Sequence, residues 1–513
     1  MGPPPEPSPP PPPRSVPGLS PPRFSSPELT AGPPPKSPDE RRTWLRAKLD
    51  ELFSAPWLAK SKVSVLVADS DTGKPLYARS EKTLLNAASN VKIVTSAAAL
   101  ALLGPEYRWK TAVYGVPDAA GSVLSSGGEL SGDLYVRGFG DPMLSTQDMQ
   151  GLAADLWASG LRRVRGGLVI DESFFGPPHV GPAFEQKPES AAFRAPSSAT
   201  SLNGNVVAVT VIPAPIAGAP ARVIVEPSSP YFIVAGRVVT SRTGPAATLV
   251  ETSEDAPASG RAAAPPRTRV MLGGRVRLGT APRTFLRRIV HPDVFFASTF
   301  KQILNRRGIT VDKASRTGAI PPEGARILAS HDSAALGVIA HDLNKRSNNF
   351  TAEQIIRTLG AEIVGRPGTW ENGVEAVARY LDAVGVPRGS YHMSNGSGLY
   401  DSNRFSADQI VTVVRAAMRD FRISGEFVAS LALAGADGTI GHRMGGSLAE
   451  RYVRAKTGTL SGTSCLSGIA GSPGRAPLLF SILMNEITSP AEARHTQDRA
   501  AEILVSYLDG PTP

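Results

Sequence analysis

The chain has 513 residues, is 41% apolar, and sets 55 Lys and Arg against 45 Asp and Glu for a net charge of +10. That length holds more than one core, and the apolar share is that of a globular protein rather than a membrane-embedded or disordered one. The positive charge is scattered along the chain instead of gathered in a block, which argues against nucleic-acid binding, and the single cysteine, Cys465, excludes an internal disulfide and a thiolate zinc cluster.

Residues 1–40 contain 17 prolines. Such a stretch cannot bury enough apolar surface to offset its ordering entropy, so it is expected to be a disordered, partly polyproline-II tether. It shows no cationic start followed by an apolar core, hence no visible signal peptide. Nor does any apolar run approach the roughly 18 residues of a membrane span. The folded part is expected from Arg41, where Arg41 to Ser54 reads as an amphipathic helix. Lys62 to Ala68 and Pro75 to Arg79 then read as strands joined by an Asp-Ser-Asp-Thr-Gly-Lys turn, a hairpin.

Asn86 to Gly104 is expected to be a helix, with Asn86 as cap, an Ala- and Leu-rich interior and Gly104-Pro105 as its stop. Its lack of a broad polar face predicts burial on most sides. Residues 107–285 are rich in short Val- and Gly-containing strands and Pro and Ala loops, Ala256 to Pro266 among them, and read as inserted β-rich modules. Helical periodicity returns from Asp293 to Tyr380 and again from Ala407 to Met418. Three strands follow, Arg451 to Thr459, Thr463 to Ala470 and Leu478 to Met484, before a closing helix from Ser489 to Leu508. Strands at both chain ends with helices between predict an α+β fold, one antiparallel sheet that gathers the termini and is flanked by helices.

Three motifs stand in order: Ser89-Asn-Val-Lys92, Ser347-Asn-Asn349 and Lys456-Thr-Gly458. S-x-x-K and S-x-N each arise roughly once by chance in a chain of this length, K-T-G on the order of 0.1 times, so order and setting carry the weight. Positions three apart on a helix share a face, which lets Lys92 meet the Ser89 hydroxyl. A buried lysine can take the hydroxyl proton and make serine a nucleophile. Ser347, at a loop or helix start, can relay a proton, and Asn349 can donate to a substrate amide. Lys456 offers positive charge, Thr457 can bind a carboxylate, and Gly458 lets a ligand backbone approach a strand edge. The Ser89 and Thr459 N–H groups can together form an oxyanion hole. A rival S-x-N at Ser201-Leu-Asn203 leads straight into a strand-like run and ranks behind Ser347. The seven histidines are dispersed, and no H-E-x-x-H, G-x-S-x-G, P-loop or dinucleotide fingerprint is present.

With these motifs the chain resembles the type-4 penicillin-binding proteins, low-molecular-mass D-alanyl-D-alanine carboxypeptidases and endopeptidases of the β-lactamase/DD-peptidase-like fold. The resemblance extends to Gly132-Asp-Leu-Tyr-Val-Arg-Gly-Phe-Gly-Asp-Pro-Met-Leu144, to Ser201-Leu-Asn-Gly-Asn-Val-Val207 and to Asn395-Gly-Ser-Gly-Leu399, where Asn395 stands in place of a common acidic residue. Ser89 and Ser347 are 258 positions apart, a gap that matches the family's nested insertions. The resemblance implies a catalytic domain of residues 41–106 and 286–513, with two inserted domains in 107–285, the inner at about 208–275. It further implies a serine acyl-enzyme cycle on peptidoglycan stem peptides ending in D-Ala-D-Ala. Ser89, Lys92, Ser347 and Asn349 would be catalytic, Lys456, Thr457, Gly458 and Thr459 would bind substrate, and β-lactams would inhibit. Neither metal nor organic cofactor is implied, and the resemblance implies a periplasmic or otherwise extracytoplasmic site of action. The rivals are a β-lactamase or esterase on the same scaffold, which fast cephalosporin turnover would reveal, and a catalytically silent wall-binding scaffold.

Overall fold

The computed structural model describes residues 34–35, 37–244, 247–255, 265–321 and 323–509. The expected disordered tail therefore lies outside the described residues except for 34–35 and 37–40. The start of the fold is corrected by one turn: the first helix is Pro38–Phe53, with Pro38 at its head and Asp39 and Glu40 in the first turn, where proline and acidic side chains suit a helix N-terminus. The loop expected from Ala256 to Pro266 falls almost wholly outside the described residues.

Six antiparallel strands form the central sheet, in the order Ala432–Leu433, Val453–Leu460, Thr463–Ala470, Leu478–Asn485, Lys62–Asp69, Pro75–Arg79. Lys62 pairs with Asn485 and Asp69 with Leu478, so the N-terminal hairpin is an addition to the C-terminal meander, as the α+β reading requires. Alternation along the strands divides two cores. Val65, Val67, Phe480 and Ile482 face the first and closing helices, where Leu45, Leu49, Phe53 and Leu504 are buried. Leu66, Cys465, Leu479 and Leu483 face the opposite side.

The helix Val91–Leu103 lies in that second core with ten residues buried. Around it pack Leu336–Lys345, Asn349–Leu359, Trp370–Ala383 and Ala407–Arg419. The expected cap is only partly right. Asn86 Oδ1 accepts from the Ala88 N–H at 2.9 Å, but Ala88 at φ +46° breaks the run, and Ala88–Asn90 form a separate 3₁₀ turn that feeds the helix.

The chain after residue 285 does not go straight back to the layers around the central sheet. Strand Arg326–Asp332 pairs with Lys110–Gly115 at the outer edge of a five-stranded sheet, and helix Pro292–Arg307 buries Phe295, Phe296 and Phe300 in the inserted region's own core. Packing against the buried helix Val91–Leu103 resumes after Asp332, at Leu336–Lys345. The helical periodicity expected from Asp293 to Tyr380 holds for this helix but not for the strands Thr310–Val311, Arg316–Thr317 and Arg326–Asp332 that follow it, and it could not say which core the helix faces. Within the insertion, Val206–Ile212 pairs with Arg283–Arg288, so the chain leaves and re-enters the inner modules at one place.

Candidate active site

Ser89 occupies the 3₁₀ turn and Lys92 the first turn of the buried helix. Lys92 Nζ lies 2.9 Å from Ser89 Oγ, 2.7 Å from Asn349 Oδ1 and 2.7 Å from the Ser397 carbonyl oxygen. Asn349 is fixed in that orientation because its Nδ2 donates to the Phe193 carbonyl at 3.1 Å. The amine thus has two partners that can only accept and one, the hydroxyl, that can also donate. A neutral amine carries two N–H bonds and one lone pair, so filling the two acceptors leaves the lone pair for the Ser89 proton. Lys92 is fully buried, and burial pulls its pKa down to about 7, with the carboxylate of Glu353 pulling the other way.

The second and third motifs meet each other. Lys456 Nζ donates to Ser347 Oγ at 2.8 Å and to the Thr457 carbonyl at 2.8 Å. Ser347 sits at φ +57° just before the helix, whose N-cap is the next residue, Asn348, accepting from the Thr351 N–H. Thr457 Oγ1 pairs with Thr439 Oγ1 at 2.8 Å. Lys456 is itself fully buried, and burial followed by the charge of nearby Lys92 holds its pKa well below the ordinary lysine value. Two buried ammonium groups disfavour each other, so a positive charge at one favours a neutral amine at the other.

Gly458 brings the third motif against the Ser89 turn: a Cβ there would stand 2.8 Å from the Ala87 carbonyl oxygen. Gly398, at φ +75°, is closer still, since a Cβ would collide with the Ala88 carbonyl. Ser89, Asn349, Gly398 and Thr459 line a cavity of about 620 Å³ that continues past Gln186, Tyr400 and Arg404. A larger cavity of about 730 Å³, bordered by Gln150, Glu226 and Arg306 in the inserted region, contains none of the predicted site residues.

Sequence reasoning did not find Glu353, Thr439 or the role of Ser397. Glu353 is a buried carboxylate on a helix whose motif ends four residues earlier, and Ser397 contributes a backbone oxygen, which no side-chain pattern reports. Asn395 closes its loop by accepting from the Gly398 N–H at 2.9 Å and Asn403 Nδ2 at 3.0 Å, while its own Nδ2 donates to Pro182. A carboxylate could do the accepting but not the donating. The rival Ser201 is buried in the inserted region and accepts from Asn205 Nδ2 and Gln354 Nε2, a packing role away from the lysines.

Residues 45–507 match the D-Ala-D-Ala carboxypeptidase 3 (S13) family. The chain belongs to that family. Among S13-like relatives, the D-alanyl-D-alanine carboxypeptidase of Actinomadura sp. (strain R39) is 35% identical over 486 residues, covering 92% of this chain and 86% of the relative. The D-alanyl-D-alanine carboxypeptidase DacB of Haemophilus influenzae is 26% identical over 395 residues, covering 75% and 77%. The crystal structure of penicillin binding protein 4 (dacB) from Haemophilus influenzae superposes with a TM-score of 0.73 at 21% identity, over 88% of this chain and 97% of that one. The β-lactamase/DD-peptidase-like fold expected of an S13 member is thereby the fold observed.

Proposed function

We propose that this S13 protein is a serine-type D-alanyl-D-alanine carboxypeptidase that acts on peptidoglycan stem peptides through a Ser89 acyl-enzyme and is inhibited by β-lactams. The observation that carries the reading is the environment of Lys92 Nζ, whose two acceptor-only partners leave its lone pair to the Ser89 hydroxyl.

Lys92 takes the Ser89 proton as Oγ bonds to the carbonyl carbon of the penultimate D-Ala. The Ser89 and Thr459 N–H groups receive the oxyanion, each such donor being worth about 10²- to 10³-fold in rate. Collapse breaks the C–N bond, and the leaving amine of the terminal D-Ala gains the proton that Lys92 took from Ser89. Water then adds to the ester, gives up a proton to the same amine, and releases the shortened peptide with Ser89 restored. Lys456 and Thr457 receive the terminal carboxylate. An arriving carboxylate favours a charged Lys456, and a charged Lys456 in turn favours a neutral Lys92, so substrate binding prepares the base.

Since the substrate lies in the wall, we place the site of action outside the cytoplasmic membrane; no helix among the described residues is long and apolar enough to cross one. The test is intact-protein mass after incubation with a penicillin, wild type against Ser89→Ala. A drug-sized adduct on wild type alone supports the reading. No adduct on either, with no drug hydrolysed, returns the scaffold reading, and rapid hydrolysis returns the β-lactamase reading.

A further inference from the structure

Glu353 lies one helical turn after Asn349 on Asn349–Leu359, and residues four apart on a helix address the same volume. The side chain is 1% exposed. Its Oε1 accepts from the Ser397 N–H at 3.0 Å, and its Oε2 accepts from the Trp370 indole N–H at 2.7 Å and the Gly396 N–H at 3.3 Å. Burying a carboxylate is costly unless it is well bonded, and here three N–H donors converge on it.

Those donors belong to the backbone that faces Lys92. With the Gly396 and Ser397 N–H groups tied to Glu353, the Gly396 carbonyl accepts from Thr95 Oγ1 at 2.8 Å and the Ser397 carbonyl from Lys92 Nζ at 2.7 Å. The Ser397 carbonyl shares a planar peptide unit with the Gly398 N–H, which Asn395 Oδ1 holds from the other side. The loop is pressed onto the helix besides, since a Cβ at Gly396 would stand 2.6 Å from the Ala352 carbonyl. The charged groups that act on Lys92 are Glu353 and Lys456, and Glu353 is in turn influenced by Lys92 and Arg357.

We propose that Glu353 is a positioning residue for acylation. It holds the Ser397 carbonyl on Lys92 Nζ so that the lone pair remains for Ser89, and it is the counter-ion of the ammonium that forms when Ser89 gives up its proton. The inference rests on the acyl-enzyme reading above and goes beyond it by assigning the group that orients the base.

The test is Glu353→Gln, which keeps volume, removes the charge and turns an amide N–H₂ toward one of the three donors. The second-order rate of acylation by a penicillin is measured by intact mass from pH 5 to pH 9, with circular dichroism reporting the fold. The maximum rate is expected to fall at least about tenfold. The acid limb is expected to move to lower pH, because an ammonium that has lost its counter-ion gives up its proton more readily. A rate lost with the limb unmoved would mark Glu353 as merely structural, and a wild-type profile would overturn the proposal outright. Should Glu353→Gln fail to fold, Trp370→Phe removes one donor while keeping the charge. It is then expected to acylate several-fold more slowly with the limb near its wild-type place, and wild-type acylation there would also overturn the proposal. Labelling of Ser89→Ala would instead sink the acyl-enzyme reading itself, whereas an inert Ser89→Ala beside a wild-type-like Glu353→Gln sinks only this inference.

Discussion

The proposed chemistry turns on one amine whose charge is set by its burial. In water a lysine is protonated at neutral pH and cannot act as a base, whereas in this site burial draws Lys92 down to about 7. In the proposed mechanism the neutral amine is the competent form, so acylation should be near its plateau at pH 8 and fall by roughly tenfold for each unit below the midpoint. The pH dependence of the second-order acylation rate checks this, and a midpoint near 10 would show that Lys92 is not the base. Lys92→Arg puts a permanent cation in its place, so acylation should drop by about 10³-fold or more at every pH, without recovery on the alkaline side. Single-turnover labelling of that variant across the same pH range decides it.

At the scale of elements, the decisive feature is how closely the strand at Gly458 and the loop at Gly398 approach the Ser89 turn. Gly398→Ala puts a Cβ where the Ala88 carbonyl already stands and does so at φ +75°. The backbone strain alone is about 1–3 kcal/mol, and relief must come by moving either the Ser397 carbonyl or the Ser89 turn. Acylation is therefore expected to fall by about tenfold or more together with a lower melting temperature; acylation at the wild-type rate would mean that the approach is irrelevant to the site. Much of this architecture was legible in the chain. The strands Thr463–Ala470 and Pro75–Arg79 fall where their flanking turns put them, and Lys92 meets Ser89 as their spacing suggested, whereas the bond between Ser347 and Lys456 was not foreseen. What escaped was of another kind. The break at Ala88 depends on a backbone angle, the Ser397 contact uses a carbonyl that every residue has, and Glu353 gains its meaning only from a loop more than forty positions away. The packing of Pro292–Arg307 escaped for a related reason: the chain shows its apolar stripe in sequence but not the core that receives it.

At the scale of the whole molecule, one helix joins the layers around the central sheet to the region expected to be inserted. Asn349–Leu359 turns Asn349 and Glu353 toward the lysine, while further along Gln354, Arg357 and Thr358 hold the inserted segments. Arg357 is fully buried between the Phe175 and Trp370 rings, its cation 4.4 and 4.3 Å from their centroids. Its guanidinium donates to the carbonyls of Ser197 at 2.8 Å, Gly368 at 3.3 Å and Gly176. Two of those carbonyls belong to the insertion, so the planar fork spans a boundary that no point-like ammonium can. Arg357→Met strands the three oxygens in a buried place at a cost of about 3 kcal/mol, and Arg357→Lys should recover little of it. Both variants are expected to melt several degrees lower. Acylation at 25 °C is nonetheless expected to stay within about threefold of wild type, because Asn349 is tied to Phe193 and Glu353 to the Gly396–Ser397 backbone independently of Arg357. Calorimetry and penicillin labelling on the same preparations separate the two effects. A loss of acylation as large as that of Glu353→Gln would mean that the grip on the insertion, rather than the local clamp on the loop, sets the geometry around Lys92.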